Sequence, residues 1–141
     1  MKILAVDYGL SRTGLAVSDI MGTIATPLEH LPSRNEDKML TALLAVIANI
    51  RPEKIIMGLP LRTDMRESDM AERVKAFAVR LREASGLDVE LLSEMYTTVI
   101  ASKLLHENEK NSKKQRGLID SAAAAVLLQS YLDKQKAYKL I

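Results

Sequence analysis

The chain has 141 residues, 48% of them hydrophobic and 27% charged, the make-up of an ordinary globular protein with enough length for one domain, 1–141, and a real core. It has no cysteine, which excludes a disulfide framework and thiolate metal sites. The 20 Lys and Arg nearly balance the 18 Asp and Glu, so where the positive charge lies matters more than its sum. The opening MKILAVDYGL is too short and too polar for a signal peptide, and no apolar run approaches the roughly 20 residues of a membrane span. A cytoplasmic location and no membrane partner are therefore expected.

Residues 2–7, KILAVD, read as a buried strand that closes on an acid. Tyr8 to Arg12 read as a turn and 13–19 as a second strand, together a hairpin. A third extended run, 23–31, contains Pro27, which suits a sheet edge or a bulge. Ser33-Arg34-Asn35-Glu36 has the spacing of a capping box. Beyond it Leu40, Leu43, Leu44, Ile47 and Ile50 recur at helical intervals until Pro52.

Residues 54–58, KIIMG, have the continuous apolar character of a strand buried on both faces. A second helix is expected over 67–84, with Met70, Val74, Phe77 and Leu81 on one face and Gly86 as its C-terminal cap. Residues 88–93 form another strand, followed by Glu94. A third helix runs from Thr97 or Thr98 to about 107, a polar loop covers 107–117, and a last helix spans 119–133 with Ile119, Ala123, Val126, Leu127 and Tyr131 inward. Hairpin strands at the start and βαβ units later imply a mixed sheet covered by helices, a single α/β domain.

Three acids stand at element ends: Asp7 and Glu94 close apolar strands, and Asp120 opens an Ala-rich helix. Apolar surroundings penalise an unpaired carboxylate, and several such groups are tolerated when they share a cation. Hard divalent ions such as Mg²⁺ take oxygen ligands, and a pair of them suits phosphodiester hydrolysis. With only His30 and His106, the chain is poorly suited to a His-rich zinc site. The plain alternative for each acid alone is a turn, cap or dipole role, and spacing does not show that the three converge.

These residues carry a family resemblance. LAVDYGLSRTGLAVSD resembles the opening hairpin of the YqgF/RuvX family, the pre-16S rRNA nucleases and Holliday junction resolvase homologues. IIMGLPLRTD is similar to that family's strand and Gly-x-Pro loop, SEMYTT lies where it carries Asp-Glu-Arg-x-Thr-Thr, and IDSAAAAVLLQSYL resembles its final helix. The four motifs occur in order and span nearly the whole chain.

The resemblance implies an RNase H-like fold: a five-stranded mixed sheet, an N-terminal antiparallel hairpin region and helices on both faces. It implies a carboxylate triad, Asp7, Glu94 and Asp120, as catalytic residues and ligands of two Mg²⁺ or Mn²⁺ ions, with Asp7 bridging. Water would attack the phosphate in line with no covalent enzyme intermediate. The implied activity is maturation of the 5′ end of pre-16S ribosomal RNA, with ribosomal particles as partners. Ser93 stands where the family has Asp, Met95 where it has Arg, and Met65 near a usual Gly. Loss of that Arg removes a phosphate contact or an internal salt bridge.

Other residues qualify as substrate contacts. Gly9 and Arg12 lie in the turn after Asp7 and would meet a phosphate, although a hairpin needs Gly in any case. Lys110, Lys113, Lys114 and Arg116 precede Asp120 and suit a nucleic-acid backbone, giving affinity without sequence specificity. Tyr8 and Tyr96 would stack on an unpaired base, with packing the favoured role; Asp19 and Asp64 read as turn or cap residues. Three competing readings stay open: a nuclease of four-way DNA junctions, a non-catalytic RNA-binding assembly factor, and an actin-like ATPase, which the short chain disfavours. Monomer and homodimer are equally compatible.

Overall fold

The computed structural model describes residues 1–61, 69–93 and 121–139. The elements in order are β1 (Ile3–Asp7), β2 (Arg12–Ser18), β3 (Ala25–Pro32), α1 (Glu36–Ile50), β4 (Lys54–Leu59), α2 (Asp69–Ser85), β5 (Val89–Ser93) and α3 (Ala122–Lys139). The expected helix over 97–107 and the loop over 107–117 lie outside the described residues. The strands form one five-stranded sheet in the order β3-β2-β1-β4-β5. β1, β2 and β3 pair antiparallel, while β4 joins β1 and β5 joins β4 in parallel. This is the mixed sheet that a hairpin followed by βαβ crossovers requires.

Helices cover both faces, and strand alternation sorts the side chains between them. Leu4, Val6, Leu15, Ile55 and Met57 point to one face, where Met39 and Leu43 of α1 and Val74, Phe77 and Leu81 of α2 meet them. Ile3, Ala5, Ala16 and Ile56 point to the other, against Ala124, Leu127, Leu128 and Leu132 of α3. Pro27 sits in β3, the edge strand, where its missing N–H costs no ladder bond.

Helix boundaries differ from the sequence reading in physically informative ways. Asn35, not Ser33, caps α1: its side chain accepts the Lys38 N–H at 3.1 Å. The Ser33 hydroxyl is used elsewhere, as described below. α1 ends at Arg51, which adopts a left-handed backbone (φ 56°) just before Pro52 and donates its N–H to the Ile47 carbonyl at 2.8 Å. Gly86 closes α2 as expected, with φ 72° and its N–H on the Arg82 carbonyl at 2.9 Å.

α3 extends to Lys139, and its inward stripe is rotated from the expected one. Ala124, Leu127, Leu128 and Leu132 are buried, whereas Ala123, Val126 and Tyr131 are half-buried. In a helix apolar on most of its circumference, periodicity alone sets the facing side weakly. Here polar anchors at Ser121 and Gln129 set it.

Candidate active site at the end of strand β1

Asp7 is the last residue of β1, which runs between β2 and β4. Leu4 and Val6 face α1 and α2, and Ile3 and Ala5 face α3, so alternation directs Asp7 to the α3 face. It is half-buried there. Its cross-strand partner is Gly14, which puts no side chain beside the carboxylate. The parallel strands β1, β4 and β5 finish on the same sheet edge at Asp7, Leu59 and Ser93. β5 lies two strands from β1, about 10 Å at ordinary strand spacing. The carboxyl edge of parallel strands is where α/β proteins place ligands.

The turn after Asp7 is held from three sides. The Gly9 N–H donates to Thr13 Oγ1 at 3.4 Å, and Ser33 Oγ donates to the Gly9 carbonyl at 2.5 Å. The Ser33 N–H reaches the Ser11 carbonyl at 3.0 Å. Thr13 and Ser33 are buried polar residues with these bonds as their reason. A Cβ on Gly9 would collide with the Arg12 carbonyl oxygen, so glycine is required by close backbone approach. The turn thus carries exposed Leu10, Ser11 and Arg12 at the Asp7 edge on a fixed backbone.

Tyr8 points to the opposite layer. Its hydroxyl donates to Glu36 Oε1 at 2.9 Å, and its ring lies 5.1 Å from that of Phe77, tilted by 38°. Arg80 donates to Glu36 Oε2 and to Asp37 Oδ1, both at 2.6 Å. Burial raises the Tyr8 pKa, its bond to Glu36 and the charge of Glu36 raise it further, and Arg73 and Arg80 oppose them. The bonds to Asp37 and Glu36 raise the Arg80 pKa. Tyr8 is therefore a packed, neutral donor that ties the end of β1 to α1.

On the Asp7 side, α3 runs alongside β2. Ser121 Oγ accepts the Leu15 N–H at 3.0 Å, eight residues later Gln129 Oε1 accepts from Ala25 N at 3.0 Å, and Leu132 lies close to Gly22. The start of α3 is thus at the Asp7 edge and its end at the β2–β3 turn. That turn is tied by Asp19, whose carboxylate accepts the Thr23 and Ile24 N–H groups at 2.6 and 3.0 Å. The backbone bonds to Ile24 and Thr23 lower its pKa. Asp19 is a turn residue, as the sequence suggested.

Of the residues singled out from sequence, Asp7, Gly9 and Arg12 come together at one edge. Glu94, Asp120, Lys110, Lys113, Lys114 and Arg116, with Asp64, Tyr96, Thr97, Thr98 and Ile119, lie outside the described residues. Among the described residues no three His, Cys, Asp or Glu gather to hold a metal. Asp7 itself suits a hard divalent cation: it offers carboxylate oxygen, half-buried, with glycine opposite and no cysteine in the chain. Sequence reasoning missed Thr13 and Ser121 and gave Ser33 the cap role that Asn35 fills. The one signal of Thr13 and Ser121 is a small hydroxyl residue inside or beside an apolar segment, which is too common to single them out.

In its three-dimensional form the chain resembles Thermus thermophilus RuvC in complex with a Holliday junction substrate, with TM-score 0.61 and 15% identity over 97% of this chain and 96% of that one. It also resembles the fowlpox virus resolvase in complex with Holliday junction DNA, with TM-score 0.54 and 13% identity over 96% and 99%. The architecture is thus the RNase H-like fold of the RuvC-type resolvases.

Sequence comparison narrows this. The family model RuvX: Holliday junction resolvase matches residues 1–134, and the chain belongs to the RuvX family. A Koribacter versatilis protein named "Putative pre-16S rRNA nuclease" is 37% identical over 95% of this chain and 88% of its own length. A Sulfurihydrogenibium protein of the same name is 38% identical over 94% and 90%.

Proposed function

We propose that the chain is a metal-dependent nuclease hydrolysing phosphodiester bonds, with Asp7, Glu94 and Asp120 as ligands of Mg²⁺ or Mn²⁺ and maturation of the pre-16S ribosomal RNA 5′ end as its task. The observation that carries this reading is the placement of Asp7: an acid at the carboxyl end of the sheet's middle strand, on the face that α3 covers. In the sequence Asp120 immediately precedes Ser121, the residue anchored to β2. Glu94 is the next residue in the sequence after Ser93, which ends β5 at the same edge of the sheet as Asp7. The names of the sequence relatives support the RNA substrate.

A bound divalent ion pair supplies charge neutralisation at the phosphate and a stronger water nucleophile. The chain's own contribution is to fix the ligands. β1 holds Asp7, the tied Gly9 turn fixes the backbone that leads to exposed Arg12, and the basic run Lys113, Lys114 and Arg116 would meet the nucleic-acid backbone. A second reading, cleavage of branched DNA, draws on the likeness to resolvases described in complex with Holliday junctions.

Purified protein offered a pre-16S RNA and a four-way DNA junction side by side, with Mg²⁺ or Mn²⁺, separates the two. The expected result is cleavage of the RNA. Asp7→Asn should cut the rate by at least about a hundredfold, the scale of losing one transition-state contact, without changing the melting curve's cooperativity. Preferential junction cleavage would move the assignment to a DNA resolvase. Cleavage that persists in Asp7→Asn would remove the proposed site.

A further inference from the structure

Ser121 is completely buried, and its hydroxyl does not serve merely to start its own helix. It stands one residue before α3, where its carbonyl accepts the Ala125 N–H at 3.0 Å. Its Oγ accepts the Leu15 N–H of β2, across 106 residues of sequence, at 3.0 Å. The contact lies one residue from the Asp7 level of the sheet. Leu15 pairs with Val6, and Gly14 pairs with Asp7.

On the other side of β2, the ladder slips at the same level. Thr13 pairs with Leu31 and Leu15 with Leu28, so Glu29 and His30 of β3 together span the place of Gly14. A bulge re-aims the local backbone and perturbs ladder bonding, and here it adjoins the strand amide that receives the helix. The residues between α3 and the sheet near this end are small: Ala5 and Ala16 on the sheet, Ala124 and Ala125 on the helix. Small side chains bring helix and sheet close, so a hydroxyl as short as serine's can bridge them.

We propose that Ser121 is a positioning residue for the metal site: its bond to Leu15, beside the bulge, fixes Ser121, the residue that follows Asp120 in the sequence, at the Asp7 end of β2. This rests on the reading of Asp7 and Asp120 as metal ligands. α3 has a second anchor of the same kind far from Asp7. The Gln129 carboxamide accepts from Ala25 N and donates to the Thr23 carbonyl, each at 3.0 Å. Gln129 lies eight residues along the helix, about 12 Å from Ser121. The two anchors therefore make distinct demands. Loss of either loosens α3 from the sheet, but only Ser121 adjoins the Asp7 level.

Mn²⁺ binding to the purified chain, followed by the electron paramagnetic resonance of the free ion, tests this alongside thermal melts. Four proteins are compared: wild type, Asp7→Asn, Ser121→Ala and Gln129→Ala. Ser121→Ala is expected to weaken Mn²⁺ binding at least tenfold, while Gln129→Ala, with a comparable drop in melting temperature, binds Mn²⁺ as the wild type does. If Ser121→Ala lacks a cooperative melt, Ser121→Cys carries the comparison, since its side chain has the same shape, is somewhat larger, and its sulfur is only a weak acceptor, and a weakening of at least threefold is expected. Unchanged Mn²⁺ affinity in the folded Ser121 variant overturns the inference, as does equal weakening in the Ser121 and Gln129 variants. If Asp7→Asn binds Mn²⁺ like the wild type, the metal site itself is misassigned and the inference falls with it. Loss in Asp7→Asn without loss in the Ser121 variant sinks the inference alone.

Discussion

The side chain of Asp7 leaves β1 on the α3 side, and Tyr8 turns to the layer of α1 and α2, so two adjacent residues serve two different faces of the sheet. The Tyr8 hydroxyl bond to Glu36 has a pH signature. Burial first, then the bond to Glu36 and its charge, raise the phenol pKa above 10.0. A raised folded pKa contributes stability that is complete below the unfolded value and lost as pH climbs through the folded one. Lys54 acts in the same direction: burial lowers its pKa, but hydrogen bonding to Tyr131 and Glu90 outweighs that and raises it.

Tyr8→Phe should therefore cost about 1 kcal/mol near neutral pH, the ordinary net worth of one hydrogen bond. It should also flatten part of the stability loss above about pH 10. Denaturant melts across that range check both; an unchanged alkaline slope would show that the phenol does not contribute. Asp7 was legible from sequence because a charge closing an apolar strand is conspicuous. Ser33 was read as a helix cap because its spacing fitted, yet its hydroxyl closes the Gly9 turn and Asn35 caps the helix. Two oxygen-bearing side chains competed for one cap, and only tertiary contact decided between them.

At the scale of elements, the strands were the most legible. Short apolar runs bounded by turns gave β1, β2, β4 and β5 close to their observed limits, and the hairpin and crossover logic gave their directions. The facing side of α3 was not legible, because Ala-rich sequence offers several nearly equal apolar stripes and the choice is made by Ser121 and Gln129 reaching β2 and the turn that follows it. The end of α1 carries a local cost. Arg51 holds φ 56° and ψ 58°, a conformation that costs a non-glycine residue roughly 1–2 kcal/mol. Arg51→Gly should relieve that cost, offset in part by a more flexible unfolded chain, for a net gain of about 0.5–1 kcal/mol. A melting temperature raised by about 2–4 °C is the expected result; no rise would mean that the Arg51 side chain contributes packing that offsets the strain.

For the whole molecule, the proposed nuclease reading requires a surface that holds a polyanion. Net charge is close to balance, so affinity has to come from local concentration of positive charge. Replacing Lys113, Lys114 and Arg116 together by Gln should weaken RNA binding across sequences and reduce the slope of log affinity against log salt by about 0.7 per lost contact on single strands. Titrations at several ionic strengths read that slope directly; an unchanged slope would remove the run from the interface.

The central claim is that Asp7 is a metal ligand together with Glu94 and Asp120. An anomalous difference map from crystals soaked in Mn²⁺ addresses it without reference to turnover. The account predicts density within coordination distance of the Asp7 carboxylate, flanked by the carboxylates of Glu94 and Asp120. Mn²⁺ bound elsewhere while Asp7 carries none, or density at Asp7 with Glu94 and Asp120 turned away, would contradict it.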